Sequence, residues 1–191
     1  MGARFITTHH PISLLPVVSK IFEALLNNTI VHHMESNQLF SDSQYGFRSN
    51  RSTADLLTVI TDRIYSTLNI SGEARAVALD ISKAFDKVWH VGLLRKLAAY
   101  GIKGPLLEII SSFLKNRRIK VVLDGQSSSS HLINAGVPQG SVLAPTLFLI
   151  FINDLPDDII SKLAIYADDS TIYSCIPKSD TFSIVEMAGE I

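Results

Sequence analysis

The sequence predicts a mixed α+β domain in which helices cover a sheet. Three observations carry that expectation. Apolar residues recur at three- and four-residue steps over two early stretches: Val18, Ile21, Phe22 and Leu25, then Leu56, Leu57, Ile60, Ile64 and Leu68. The period changes to two at residues 76–81, where Val77, Leu79 and Ile81 alternate with Ala76, Ala78 and Asp80, as in a strand buried on both faces. Late in the chain, residues 163–167 and 171–175 bracket Asp168-Asp169-Ser170, which predicts a hairpin with two carboxylates at its tip.

Pro11 and Pro16 give the first helix an extended approach. A polar loop follows, carrying Tyr45, Phe47, Arg48 and Arg51. Thr53 is the expected N-cap of the second helix, with Asp55 in the first turn, where the helix dipole favours a negative charge. Ser71-Gly72 closes that helix, and a division there separates residues 1–72 from 73–191. After the strand, Leu93, Leu94, Leu97 and Ala98 form a helix ended by Gly101. Pro105 suits the first turn of the next, which runs through Leu106, Ile109, Ile110, Phe113 and Leu114. Residues 118–123 and 131–137 read as strands joined by a mobile loop through Asp124-Gly125-Gln126 and the serines. The turn Pro138-Gln139-Gly140 leads into a helix rich in Leu143, Leu147, Ile150 and Phe151.

Composition bounds the function. At 191 residues, 47% hydrophobic and 18% charged, the chain can bury a sizeable core. A formal charge of −1 means that any nucleic-acid partner is gripped locally rather than by bulk charge. The single cysteine, Cys175, excludes a disulfide framework and fits an intracellular setting, nucleus or cytoplasm alike. The most apolar run, residues 142–152, is broken by Pro145 and falls short of the ~20 residues a bilayer needs, so no membrane partner is expected.

Asp80 is the polar exception in an apolar strand, and Asp168 and Asp169 repeat the anomaly in a second strand pair. An isolated carboxylate in such surroundings is costly, and converging carboxylates repel unless cations sit between them. Magnesium suits such a set, because it takes oxygen ligands from one or two carboxylates plus substrate phosphates. Alternatively, Asp80 pairs with Lys83 or an arginine, and the aspartate pair is ordinary turn chemistry. Val137-Pro138-Gln139-Gly140-Ser141 either offers backbone amides to a phosphate or is a plain connector. The basic stretch with Arg117 and Arg118 either touches a phosphate backbone or complements a helix end. Arg48 and Arg51 carry the same two readings. The pairs His9-His10 and His32-His33 read as surface residues.

In order along the chain, these pieces resemble the reverse transcriptases of non-LTR (LINE-type) retrotransposons. Pro11-Ile12-Ser13-Leu14-Leu15-Pro16 with Ser19-Lys20-Ile21-Phe22-Glu23 resembles the family's first block. Gln44-Tyr45-Gly46-Phe47-Arg48 with Arg51-Ser52-Thr53 resembles the fingers block. Leu79-Asp80-Ile81-Ser82-Lys83-Ala84-Phe85-Asp86-Lys87-Val88 is similar to motif A, Gly136-Val137-Pro138-Gln139-Gly140-Ser141 to motif B, and Tyr166-Ala167-Asp168-Asp169 to motif C.

The resemblance implies a right-hand polymerase with fingers (residues 1–72) and a partial palm (residues 73–191) built on a ferredoxin-like core, truncated after motif C and lacking a thumb. It implies RNA-directed DNA synthesis by two-metal nucleotidyl transfer with Mg2+, or Mn2+ in its place. The implied catalytic residues are Asp80, Asp168 and Asp169, with Ile81 added to the metal set. Phe85 falls where the family screens the sugar 2′ side, and Gln139 and Gly140 where it meets the incoming nucleotide. Arg48, Arg51, Arg117 and Arg118 are the implied nucleic-acid contacts. Partners would be an RNA template, a DNA primer, deoxynucleoside triphosphates and the remainder of the element's polyprotein. His10 stands where the family usually has arginine. Two expectations compete: a polymerase region, and a catalytically silent remnant that at most binds nucleic acid. A metal nuclease would explain neither Phe85 nor the Val-Pro-Gln-Gly block. With so few contacts, duplex binding should be weak and fall steeply with salt. An apolar surface of the palm sheet should stay open, partly covered by Phe182, Val185 and Met187.

Overall fold

The computed structural model describes residues 12–176. The helices are α1 (Val17–Ser36), α2 (Thr53–Asn69), α3 (His90–Ala99), α4 (Pro105–Leu114) and α5 (Ala144–Ile152), with a 3-10 turn at Ala84–Lys87. The strands are β1 (Glu73–Leu79), β2 (Arg118–Ile119), β3 (Val122–Leu123), β4 (Gln126–Ser127), β5 (His131–Leu132), β6 (Lys162–Tyr166) and β7 (Asp169–Ile176). These elements form two compact units, one helical and one built on a sheet. The helical unit takes the chain up to Asn37 with Lys83–Phe151; the sheet unit takes Gln38–Ser82 with the chain from Ile152. His10, Phe182, Val185 and Met187 lie outside the described residues.

In the helical unit, Ile30, Met34, Leu93, Leu97, Ile110, Leu114 and Leu147 are wholly buried. Helix α1 forms where the periodicity predicts, but its expected apolar stripe faces outward. Val18 and Leu25 are 77% and 63% exposed, while Glu23, Ile30 and Met34 are buried. The buried face is chosen by tertiary contacts. His33 Nε2 lies 2.7 Å from the carbonyl of Tyr100 at the end of α3, so His33 is a packing contact rather than a surface residue. Pro105 opens α4 as expected.

The connection through Asp124-Gly125-Gln126 and the serines forms a hairpin of its own rather than an irregular loop. Asp124 (φ 49°) and Gly125 (φ 75°) turn the chain tightly between β3 and β4, the positive-φ pair that suits a two-residue hairpin. The serines form the returning arm: the Ser128 N–H donates to the Val121 carbonyl at 2.8 Å, and its hydroxyl accepts from the Val121 N–H at 2.9 Å. Strand β5 then pairs with β2.

In the sheet unit, β7 is central, with β1 and β6 antiparallel on either side. Leu56 of α2 joins Ala164 and Tyr173 in one apolar cluster, flanked by Tyr45, Ile60, Tyr166 and Cys175. Leu163, Ile165 and Ile172 form another with Ile152 and Ile159. Strand β1 is not buried on both faces: none of its residues is buried. Among the described residues it has one strand neighbour, and it carries a Glu73–Arg75 ion pair at 2.8 Å, the kind of charge that discourages further pairing at an edge.

The N-cap of α2 is Ser52, one residue before the expected Thr53. The Asp55 N–H donates to Ser52 Oγ (3.2 Å) and the Ser52 N–H donates to Asp55 Oδ2 (2.8 Å), a reciprocal capping box. Ser52→Ala is therefore expected to cost about 1 kcal/mol, and Thr53→Ala much less. The urea midpoints of the two variants check this.

Among the described residues, no helix is long and apolar enough to cross a membrane.

Candidate functional site

The sheet register collects the three aspartates. The last β1–β7 pair is Leu79↔Ser170, so Asp80 follows directly and stands level with Asp169, the first residue of β7. Tyr166↔Asp169 is the last β6–β7 pair, and Ala167 and Asp168 make the connecting turn. Asp80, Asp168 and Asp169 thus share one end of one sheet. Asp80 is exposed, not enclosed among apolar neighbours, because β1 is an edge strand and Asp80 lies past its end. The expected desolvation cost is absent there. None of the three carboxylates makes an ion pair or side-chain hydrogen bond among the described residues. Nor do the described residues assemble any group of three or more His, Cys, Asp or Glu as a metal cluster.

The turn that carries Asp168 is held from outside the hairpin. Gln44 is 3% exposed. Its Oε1 accepts from the Ala167 N–H (3.1 Å) and the Gly46 N–H (2.7 Å), and its Nε2 donates to the Ala167 carbonyl at 3.2 Å. The backbone beside it is stitched to β6: the Tyr45 N–H donates to the Ile165 carbonyl and the Ile165 N–H to the Ser43 carbonyl. Gly46 lies so close that a Cβ there would meet the Ala167 nitrogen at 2.2 Å. Asn153 secures the start of the same loop, accepting from the Ser41 N–H and donating to the Leu39 carbonyl.

The arginines of this loop are engaged with it. Arg51 pairs with Asp42 at 2.5 Å, donates to the Asp42 and Gln44 carbonyls, and lies over the Tyr45 ring. Arg48 donates to the Ser41 carbonyl and lies over Phe40.

The helical unit holds the motif A and motif B segments against each other. The Val137 N–H donates to the Phe85 carbonyl and the Gly136 N–H to the Val88 carbonyl, both at 2.8 Å. His90 Nε2 lies 2.7 Å from the Gly136 carbonyl. The Phe85 ring stacks on Phe148 with centroids 4.5 Å apart. Gln139 Nε2 reaches Asp86 Oδ1 at 3.5 Å, and the Gln139 carbonyl accepts from the Ser13 N–H at 2.8 Å. Gly140, at φ 93°, lets that first-block segment approach: a Cβ there would sit 3.0 Å from Ile12 and 3.1 Å from the Ser13 carbonyl.

Two of the amides ahead of α5, those of Val142 and Leu143, are already bonded. Buried Glu23 takes them, its Oε2 accepting from the Val142 N–H (2.8 Å) and the Leu143 N–H (3.3 Å), while Ser19 donates to Oε1. Arg117 lies over Phe113 and has its pKa lowered by burial, opposed by the Glu23 charge. Arg118 donates to the hydroxyl and carbonyl of Ser130. Gln44 and Glu23 lie within the motif blocks, but motif reading gave neither a role. Their one sequence signal is position: a lone Gln opening Tyr-Gly-Phe-Arg, and a Glu four residues after Ser19 in an apolar helix.

The fold is similar to telomerase from Candida albicans in complex with a fragment of telomeric RNA (TM-score 0.61, 14% identity, 92% of this chain and 32% of that one). It is also similar to apo telomerase from Candida tropicalis (TM-score 0.59, 13% identity, 90% of this chain and 36% of that one). The family described as reverse transcriptase (RNA-dependent DNA polymerase) matches residues 5–189, and the chain belongs to it. Over 167 residues it is 36% identical to the probable RNA-directed DNA polymerase from transposon X-element of Drosophila melanogaster, covering 85% of this chain and 18% of that protein. Over 175 residues it is 37% identical to the RNA-directed DNA polymerase from mobile element jockey of Drosophila funebris, covering 87% and 19%. The chain spans about a fifth of the length of these relatives. The fold class is thus the α+β fingers-and-palm type in part.

Proposed function

We propose that this chain carries the nucleotidyl-transfer site of an RNA-directed DNA polymerase, extending a DNA primer on an RNA template with deoxynucleoside triphosphates. The observation that supports it most is the register that brings Asp80, Asp168 and Asp169 to one end of the sheet. In this reading residues 1–72 serve as fingers and 73–191 as palm. The donor set fits a hard divalent cation: exposed or half-buried carboxylates, with no protein cation neutralising them among the described residues. Magnesium is commonly held by one or two carboxylates plus substrate phosphates, so a closed protein cage is not required. Asp80, Asp168 and Asp169, with the Ile81 backbone, would hold Mg2+ or Mn2+. Bound there, the ions would activate the primer 3′-hydroxyl and offset the triphosphate charge.

The remaining roles fall to the chain itself. Phe85, fixed by stacking on Phe148, presents an aromatic wall suited to the sugar. Gln139 and Gly140, held by Ser13 and Asp86, would bound the nucleotide. Arg48, Arg51, Arg117 and Arg118 would meet phosphates of the nucleic acid. RNA-templated primer extension with Mg2+ or Mn2+ tests the reading: template-dependent DNA product is expected, and its absence under both metals would overturn it. Phe85→Ala should raise ribonucleotide over deoxynucleotide incorporation. An unchanged ratio would reduce Phe85 to a packing partner of Phe148.

A further inference from the structure

We infer that Gln44 is a positioning residue for Asp168: its side-chain amide fixes the turn that presents the carboxylate, in the role a supporting ligand plays behind a metal site. This rests on the proposed metal-binding role of Asp168. A primary amide has one acceptor oxygen and two N–H donors. Gln44 spends both ends on one residue, receiving the Ala167 N–H at Oε1 and giving Nε2–H to the Ala167 carbonyl. Both peptide groups of Ala167 are thereby fixed, and the second of them is the one that leads into Asp168.

Ala167 needs such support. It adopts φ 60° without being glycine, a left-handed conformation in which Cβ crowds the following carbonyl oxygen. A strained residue directly before a functional carboxylate persists when its surroundings over-determine it. Gln44 supplies that constraint from within the interior, where it is 3% exposed. Oε1 also accepts from the Gly46 N–H at 2.7 Å, so the clamp is itself oriented by the backbone it belongs to. Gly46 completes the fit, since any Cβ would collide with the Ala167 nitrogen. The hairpin tip is therefore shaped by residues more than a hundred positions earlier in the chain.

The test reads metal affinity and turn rigidity, neither of which requires polymerisation. Mn2+ binding to the purified chain is titrated by electron paramagnetic resonance, and amide hydrogen exchange is followed at Ala167 and Ile165. Gln44→Met keeps the side chain's length and removes its polar ends. It is expected to weaken Mn2+ binding about tenfold to a hundredfold, the range for losing a supporting group behind a ligand. Ala167 exchange should speed up while Ile165, bonded to the Ser43 carbonyl, stays protected. Gly46→Ala displaces the same turn while keeping the amide, and should weaken Mn2+ binding likewise; it answers the question if Gln44→Met does not fold. Asp168→Asn should abolish the binding. If Asp168→Asn leaves Mn2+ affinity intact, the metal role falls and the inference with it. If Asp168→Asn abolishes binding but folded Gln44→Met or Gly46→Ala binds Mn2+ as the parent does, the metal role stands and the positioning role is overturned.

Discussion

Asp168→Ala is expected to cut RNA-templated primer extension about a hundredfold to a thousandfold, the loss typical when one electrostatic stabiliser of a transition state is removed. Stability should change by no more than about 0.5 kcal/mol, as for surface substitutions away from caps and cores. The two halves of this expectation have separate grounds. The carboxylate makes no side-chain hydrogen bond or ion pair among the described residues, so folding does not depend on it. The turn that presents it is held through backbone groups of Ala167, which alanine at 168 leaves in place. Extension assays at matched protein, with urea unfolding of the same preparations, give both numbers. Parent-like extension by Asp168→Ala would remove the aspartate from the reaction.

Glu23→Ala is expected to show the reverse pattern, a loss of stability centred on the helical unit. Its carboxylate is 2% exposed and accepts from the Val142 and Leu143 amides. Truncation leaves both N–H groups without their partner, at a cost of roughly 1–3 kcal/mol for each buried donor. A total near 3 kcal/mol is a large share of the stability of an ordinary domain, about 5–15 kcal/mol. Glu23→Gln keeps an acceptor oxygen and should lose about 1 kcal/mol, since a charge-assisted bond is roughly twice as strong as a neutral one. The urea midpoints of the two variants decide it. Equal losses would mean that volume, not hydrogen bonding, sets the role of Glu23.

The elements themselves were legible because they rest on local rules. Residues such as Pro105 and the period-two run over 76–81 reveal helix starts and strands without reference to the rest of the chain. The family resemblance carried further, since ordered blocks identified the carboxylates that the register then placed at one sheet end. Burial was not legible. Val18 and Leu25 look like a core stripe, yet the inward face of α1 holds Glu23, Ile30 and Met34. Which face turns inward depends on partners far along the chain, such as Tyr100 for His33 and Val142 for Glu23. Strand β1 misled for the same reason: alanines and valine suit a central strand, but its place at the edge is a property of the sheet. The clamp on Ala167 was hidden too, because no local pattern marks a glutamine that bonds across the fold.

The pairing of β1 with β7 also imposes an order in time. Their registered residues, from Glu73↔Ile176 to Leu79↔Ser170, are separated by about a hundred positions. A ribosome adding roughly 5–20 residues per second leaves β1 without its partner on the order of ten seconds. Throughout that interval the nascent chain displays an unpaired strand, a template for association with neighbours on the same polysome. Contacts of such long sequence separation also form slowly, because loop closure must precede them. The Glu73 and Arg75 charges on β1, of the kind that discourages pairing at an exposed edge, are already on the strand while it waits for β7.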